Sequence, residues 1–304
     1  MIDMNMPVEL SSLQSTIEEY GRQFGLDFFD VHFQMLDYDT LNQVAAYDGF
    51  PTRYPHWRFG MEYERLSKSY AYGLHRIYEM VINTDPCIAY LLASNQLVDQ
   101  KLVMAHVLGH SDFFKNNFWF KQTNRKMLDE TANHASRVRR HMEKYGQDEV
   151  EDFIDACLSL DNLIDIHAAG VRRRPAPSSV EDDGPLTVHK LPSKDYMDSF
   201  INPPEFLAQQ QRRLEQEVER RKHFPEQPER DVLLFLLENA PLENWQHDGL
   251  DIIREEAYYF APQRQTKIMN EGWASFAHTH LMTEYIMEPN ELIDYADHHS
   301  GTVA

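Results

Sequence analysis

The sequence predicts a mainly α-helical protein with a small antiparallel sheet in its N-terminal third. Three observations predict it. Apolar residues recur at helical spacing along most of the chain, as in Leu10, Leu13, Ile17, Tyr20 and Phe24. Runs with the length and pattern of strands are confined to 28–36 and 77–83. Hydrophobic residues fill 42% of the 304 positions, enough for a sizeable packed core rather than a disordered chain.

The elements follow in order. Residues 9–24 form the first helix. Phe28–Leu36 alternates enough for a short strand, and Asp39–Tyr47 reads as a helix. The stretch 50–60, FPTRYPHWRFG, holds Pro51 and Pro55 among aromatics, an ordered loop pinned by its rings. A helix over 61–74 leads to IYEMVIN at 77–83, a buried strand, and then to a turn at 83–86. Residues 96–110 carry a strong helix pattern. Two more helices, 125–145 and 147–168, join at Gly146.

Composition changes at Gly170. Residues 171–204 hold turn formers with little periodicity and read as a linker or surface excursion within one domain spanning 1–304. The helix at 205–224 is very polar. It reads as a solvated surface helix or as the contact for a protein partner. Helices at 230–239 and 248–260 follow, and a last one starts after Pro262 and runs to about Met287.

The formal net charge of -20 excludes some partners. So negative a surface repels phosphate backbones, which argues against nucleic acid and against anionic membranes. Only two cysteines occur, Cys87 and Cys157, a usage that fits a reducing compartment. The N-terminal MIDMNMPVEL has neither a basic nor an apolar signal region, and VLLFLL at 232–237 is far too short to span a bilayer. These features predict a cytoplasmic protein with no membrane span.

Two distant helices carry the polar residues with chemical potential. In AHVLGH, His106 and His110 are four residues apart and share a helical face, so their imidazoles can bind one ion. Two satisfied histidines on a buried helix would look the same. In NEGWASFAH, Glu271 lies on a face with Ala274, Ser275, His278, Ile268 and Met282. A carboxylate on an apolar face is costly unless paired or bound to a cation. Gly272 lowers helix stability there, as a close backbone approach would require.

Together, His106, His110 and Glu271 make the ligand set of zinc peptidases whose histidines share a helix and whose glutamate comes from a later one. The hydrolytic motif H-E-x-x-H has its general base directly after the first histidine, where this chain has Val107. His278, or His298 and His299 in DHHSG, are candidates for a fourth ligand or an acid-base role. Asn116 and Asn117, after His110, either orient a ligand or end the helix.

The ordered blocks PHWRFG (55–60), VINTDPCIAYL (81–91), AHVLGHSDFFKNN (105–117), PQRQTKIMNEGWASFAH (262–278) and HSG (299–301) resemble the stage V sporulation protein R (SpoVR) family over essentially the whole chain. The resemblance implies a link to spore cortex formation and a zincin-like helical core whose metal motif maps onto His106, His110 and Glu271, with His278 and His299 also at family positions. It assigns no firm activity, and family members generally extend beyond the HSG block.

The expected function is that of a metal-dependent hydrolase acting on amide or peptide bonds. One divalent ion, zinc ahead of iron, would sit on His106, His110 and Glu271, with His278 or His299 replacing the absent glutamate base. A non-catalytic binding protein with a structural metal, and a non-haem iron redox centre, are the alternatives.

Overall fold

The computed structural model describes residues 6–71, 79–168, 190–223 and 230–303. Two compact units divide the chain: Met1–Asn162 together with Ala240–Ala304, and Leu163–Asn239.

The first unit opens with α1 (Val8–Phe24), which buries Leu10, Ile17 and Gly21 along one face and stops at Gly25 in the left-handed region. The strands β1 (Val31–Leu36), β2 (Glu79–Ile82) and β3 (Cys87–Leu92) form a sheet in the order β1-β3-β2. β3 pairs antiparallel with β2 but parallel with β1, from Val31 opposite Cys87 to Leu36 opposite Leu92. The sheet is therefore mixed, not antiparallel. The chain leaves β1 through α2 (Tyr38–Ala46) and α3 (Trp57–Ala71), an excursion long enough for a parallel crossover. It then returns as β2 and doubles back as β3. Because β3 is buried on nearly every residue, it lacks the alternation that marks a strand in sequence.

The aromatic stretch 50–60 is only partly a loop, since Trp57 opens α3. Its rings do pin it: Phe50, Tyr54 and Phe59 are buried, and the Tyr54 and Phe59 rings meet edge-on.

The helix α4 (Leu97–Asn116) is buried without a break from Val98 to Asp112. A helix buried all round has no wet face, so each polar side chain on it needs a partner. Its apolar residues join those of α1, β1 and β3 in the main core, where Phe33, Ala89, Leu91, Met104 and Leu108 meet. Then come α5 (Met127–Tyr145) and α6 (Gln147–Leu158), joined at Gly146 as expected, although α6 ends ten residues earlier than the sequence pattern suggests.

The second unit holds α7 (Asp198–Ile201), α8 (Pro204–His223) and α9 (Val232–Asn239). Of the segment expected as a linker, 171–189 lies outside the described residues. Residues 190–204 are ordered around Asn202, whose side chain accepts from Leu191 N and donates to Leu191 O, both at 2.9 Å. The polar helix expected at 205–224 is α8.

The chain returns to the first unit with α10 (Asn244–Leu281), a single 38-residue helix where two were expected. It runs straight through Pro262. Proline removes one helical donor and usually ends a helix. Here Tyr259, Ala261, Pro262 and Thr266 are buried, so packing keeps both halves helical, and the Thr266 hydroxyl donates to Pro262 O at 2.8 Å. A π-helical turn at Met282–Ile286 and α11 (Leu292–Val303) complete the unit.

Both cysteines are buried and unbonded to each other. Among the described residues, no helix is long and apolar enough to cross a membrane.

Candidate metal centre

α4 and α10 touch at their smallest residues. A Cβ built on Gly109 would lie 2.7 Å from Ala274 Cα and 3.2 Å from Ala277 Cβ, so only glycine fits. Gly272, expected to serve a close approach, faces open space with nothing within 4 Å. The close approach belongs to Gly109, next to His110.

That crossing brings the sequence-predicted ligands together. His106 Nε2 lies 3.6 Å from Glu271 Oε2, and His110 Nε2 lies 3.7 Å from the same oxygen. The two imidazoles stand at 90° with centroids 4.5 Å apart. The other nitrogen of each ring meets α10 as well. His106 Nδ1 is 2.8 Å from His278 Nδ1, and His110 Nδ1 is 3.0 Å from Asn270 Oδ1. His278 Nε2 in turn is 2.9 Å from His299 Nδ1, and the His299 ring stacks on Tyr295. His278 and His299 thus extend behind His106 rather than facing Glu271. The His298 side chain lies outside the described residues.

Hydrogen-bond valence constrains His110. The amide oxygen of Asn270 only accepts, so His110 Nδ1 must carry a proton. Burial, with the neighbouring His106 adding to it, lowers the His110 pKa to about 4, which makes the ring neutral near pH 7. Its Nε2 is then a lone pair. The facing His106 side chain holds Glu271 below the usual carboxylate range, against the opposing effect of burial. Glu271 is therefore ionised. A lone pair and a carboxylate oxygen face each other across 3.7 Å, an arrangement that a cation between them relieves.

The spacing fits such an ion. Ligand atoms about 2.1 Å from a tetrahedral metal sit roughly 3.4 Å apart. The observed 3.6 and 3.7 Å are close to this and longer than an ordinary N–H···O bond. The wider set is consistent too. Burial, followed by His106 and His299, pushes the His278 pKa down to about 3, so it is also neutral. His278 lies between His106 Nδ1 and His299 Nδ1, so the nitrogen of His106 left directed at Glu271 is Nε2.

The face expected around Glu271 divides. Ala274, His278 and Met282 are buried, but Ile268 is 89% exposed. Asn116 donates to Asp27 O and Asp112 O, while Asn117 accepts from Trp119 N. Both close the end of α4 and neither points to a ligand.

Sequence reasoning missed Asn270, whose only signal is its place before Glu271. It also missed Asp112, which accepts from the Trp273 indole at 2.8 Å and from Asp27 N at 2.7 Å and so ties α4 to α10 and to the start of β1.

A family model described as "SpoVR like protein" matches residues 5–304. The chain belongs to the SpoVR-like family. It is also similar to "Uncharacterized protein YcgB" of Escherichia coli (strain K12), 32% identical over 298 residues, covering 94% of this chain and 56% of that protein. This SpoVR-like chain therefore spans about half the length of the curated relative it matches. No solved structure matches it.

Proposed function

We propose that His106, His110 and Glu271 hold one divalent metal ion, zinc ahead of iron, and that this SpoVR-like protein is a metal-dependent hydrolase of amide or peptide bonds. The observation that carries the metal site is the neutral His110 Nε2 facing ionised Glu271 at 3.7 Å. Three protein donors leave a tetrahedral ion one open position, and the Glu271 side chain is 52% exposed, which supports access from solvent.

A bound ion would polarise a carbonyl and activate water for hydrolysis. Asn270 fixes the tautomer and direction of His110, and His278 does so for His106. Val107, fully buried, is no substitute for the missing glutamate base. His278 and His299, joined to His106 in series on the side of the ring away from Glu271, would orient that ligand, and a base for the water would have to come closer to the ion than they lie here. The resemblance read from the sequence points the substrate search to spore-cortex and cell-wall amides, and the acidic composition supports a cytoplasmic protein that avoids nucleic acid. A protein partner would meet the polar α8.

Val107 also supports a second reading, a non-catalytic protein with a structural ion. The same donor set suits redox-active iron as a third. The test is incubation of the zinc-loaded protein with peptidoglycan fragments while released amine is measured. Amine release that is lost in Glu271→Ala supports hydrolysis. No release from fully loaded protein removes the hydrolase reading, and oxygen consumption by the iron-loaded protein would favour the redox one.

A further inference from the structure

A second polar cluster lies on the other side of α10. Glu130 and His134 are one turn apart on α5, and Glu255 and Glu256 are adjacent on α10. One donor atom each from Glu130, His134 and Glu255 lie within 4.8 Å of one another. His134 is fully buried, and its Nε2 is 3.2 Å from Glu255 Oε2. Its Nδ1 is 3.2 Å from Glu256 Oε1, and Glu256 Oε2 is 2.9 Å from the buried Arg53 guanidinium.

We infer that Glu130, His134 and Glu255 form a second divalent-cation site, separate from the one on α4. Three features of the geometry carry it. Both ring nitrogens of His134 face carboxylate oxygens, Nδ1 toward Glu256 and Nε2 toward Glu255, each at 3.2 Å. With the ring's proton on Nδ1 toward Glu256, Nε2 becomes a ligand pointing at two further carboxylates. The chain Arg53–Glu256–His134 is the outer support that metal-binding histidines commonly have, orienting the ring and raising its basicity. The charge is also unbalanced. Glu130, Glu255 and Glu256 surround His134, Arg53 answers Glu256, and the nearby Arg137 is bound to Asp248. A divalent ion would offset this concentration of carboxylates.

The donor set indicates the kind of ion. Two carboxylates and one imidazole, with Glu130 and Glu255 both partly exposed, favour a harder, water-retaining ion such as manganese(II) over the zinc suited to His106 and His110. The sequence gives little sign of this site. Glu130 and His134 are an ordinary i, i+4 pair, and their partner lies more than a hundred residues away.

The test is manganese(II) binding to the full chain, followed by loss of the free-ion EPR signal. Glu130→Gln/Glu255→Gln keeps the shape of both side chains, and both are partly exposed, so the fold should survive; circular dichroism checks that it does. The His106→Ala/His110→Ala variant is measured alongside. The inference predicts one manganese equivalent in the parent and in His106→Ala/His110→Ala, and none at that affinity in Glu130→Gln/Glu255→Gln. Equal binding with and without the two glutamates overturns it, as does binding that vanishes in His106→Ala/His110→Ala. In this last case the first site alone binds metal. Conversely, an unchanged zinc content in His106→Ala/His110→Ala would remove the first site and leave this one standing.

Discussion

Gly109 on α4 and Ala274 on α10 are in backbone contact: a Cβ on Gly109 would sit 2.7 Å from Ala274 Cα. The centre of the molecule depends on this contact, because it sets how near the imidazoles on one helix come to the carboxylate on the other. Gly109→Ala would gain helix propensity, about 1 kcal/mol. The overlap with backbone that cannot turn aside outweighs that gain, since overpacking a tight core costs about 1–3 kcal/mol. The expected result is a lower melting temperature together with weaker metal binding.

Gly272 supplies the control. It is exposed in the interior of α10, and a Cβ there meets nothing. Gly272→Ala should stabilise the protein by about 0.5–1 kcal/mol in denaturant titration and leave metal binding alone. The two glycines lie on crossing helices near one centre, and the opposite signs separate close packing from propensity.

Asn270→Ala leaves His110 Nδ1 without its acceptor, and the ring is then free to turn or to change tautomer. His278→Ala does the same to His106. Loss of such outer partners typically weakens a metal site by about 10- to 100-fold. A zinc competition titration with a chromophoric chelator should show that loss in each variant. Affinity equal to the parent's in both would mean that the ring orientations are set by packing alone.

The Arg53–Glu256–His134 chain predicts an acid dependence. Burial by itself would raise the Glu256 pKa, but Arg53 and His134 overcome it and hold the value below that of a free glutamate. A carboxylate depressed in the folded state contributes stability that is present above its unfolded value near 4.5 and is lost as pH falls through the lower folded value. Melting temperatures measured from pH 7 down to pH 3 should fall more steeply for the parent than for Glu256→Gln. At pH 7 the variant should already be weaker by on the order of 3 kcal/mol, because Arg53 is left buried without its nearest carboxylate.

How much was legible in the sequence depends on the range of the physics involved. The helices α1, α4 and α5 announce themselves through local periodicity and α8 through its long polar run, and His106 and His110 lie on one turn of α4. Glu271 could be joined to them because a carboxylate on a later helix completes a familiar ligand set, although its side chain proves half exposed rather than set in an apolar face. What sequence could not give depends on distant contacts. β3 is buried on both faces and so shows no alternation. Pro262 looks like a helix end, and only the packing around Tyr259 and Thr266 carries α10 past it. Gly109 sits inside AHVLGH as an ordinary glycine until Ala274 is placed against it. Asn270 gains its role from a histidine 160 positions away.

The most direct test of the central claim is elemental analysis of the protein purified without an affinity metal column, beside His106→Ala/His110→Ala. About one equivalent of zinc, or of iron, should be bound in the parent by His106, His110 and Glu271 and missing from the variant. A parent that takes up neither metal, or a variant that keeps the parent's full content, would contradict that claim and leave His110–Glu271 as a polar contact at the edge of the core.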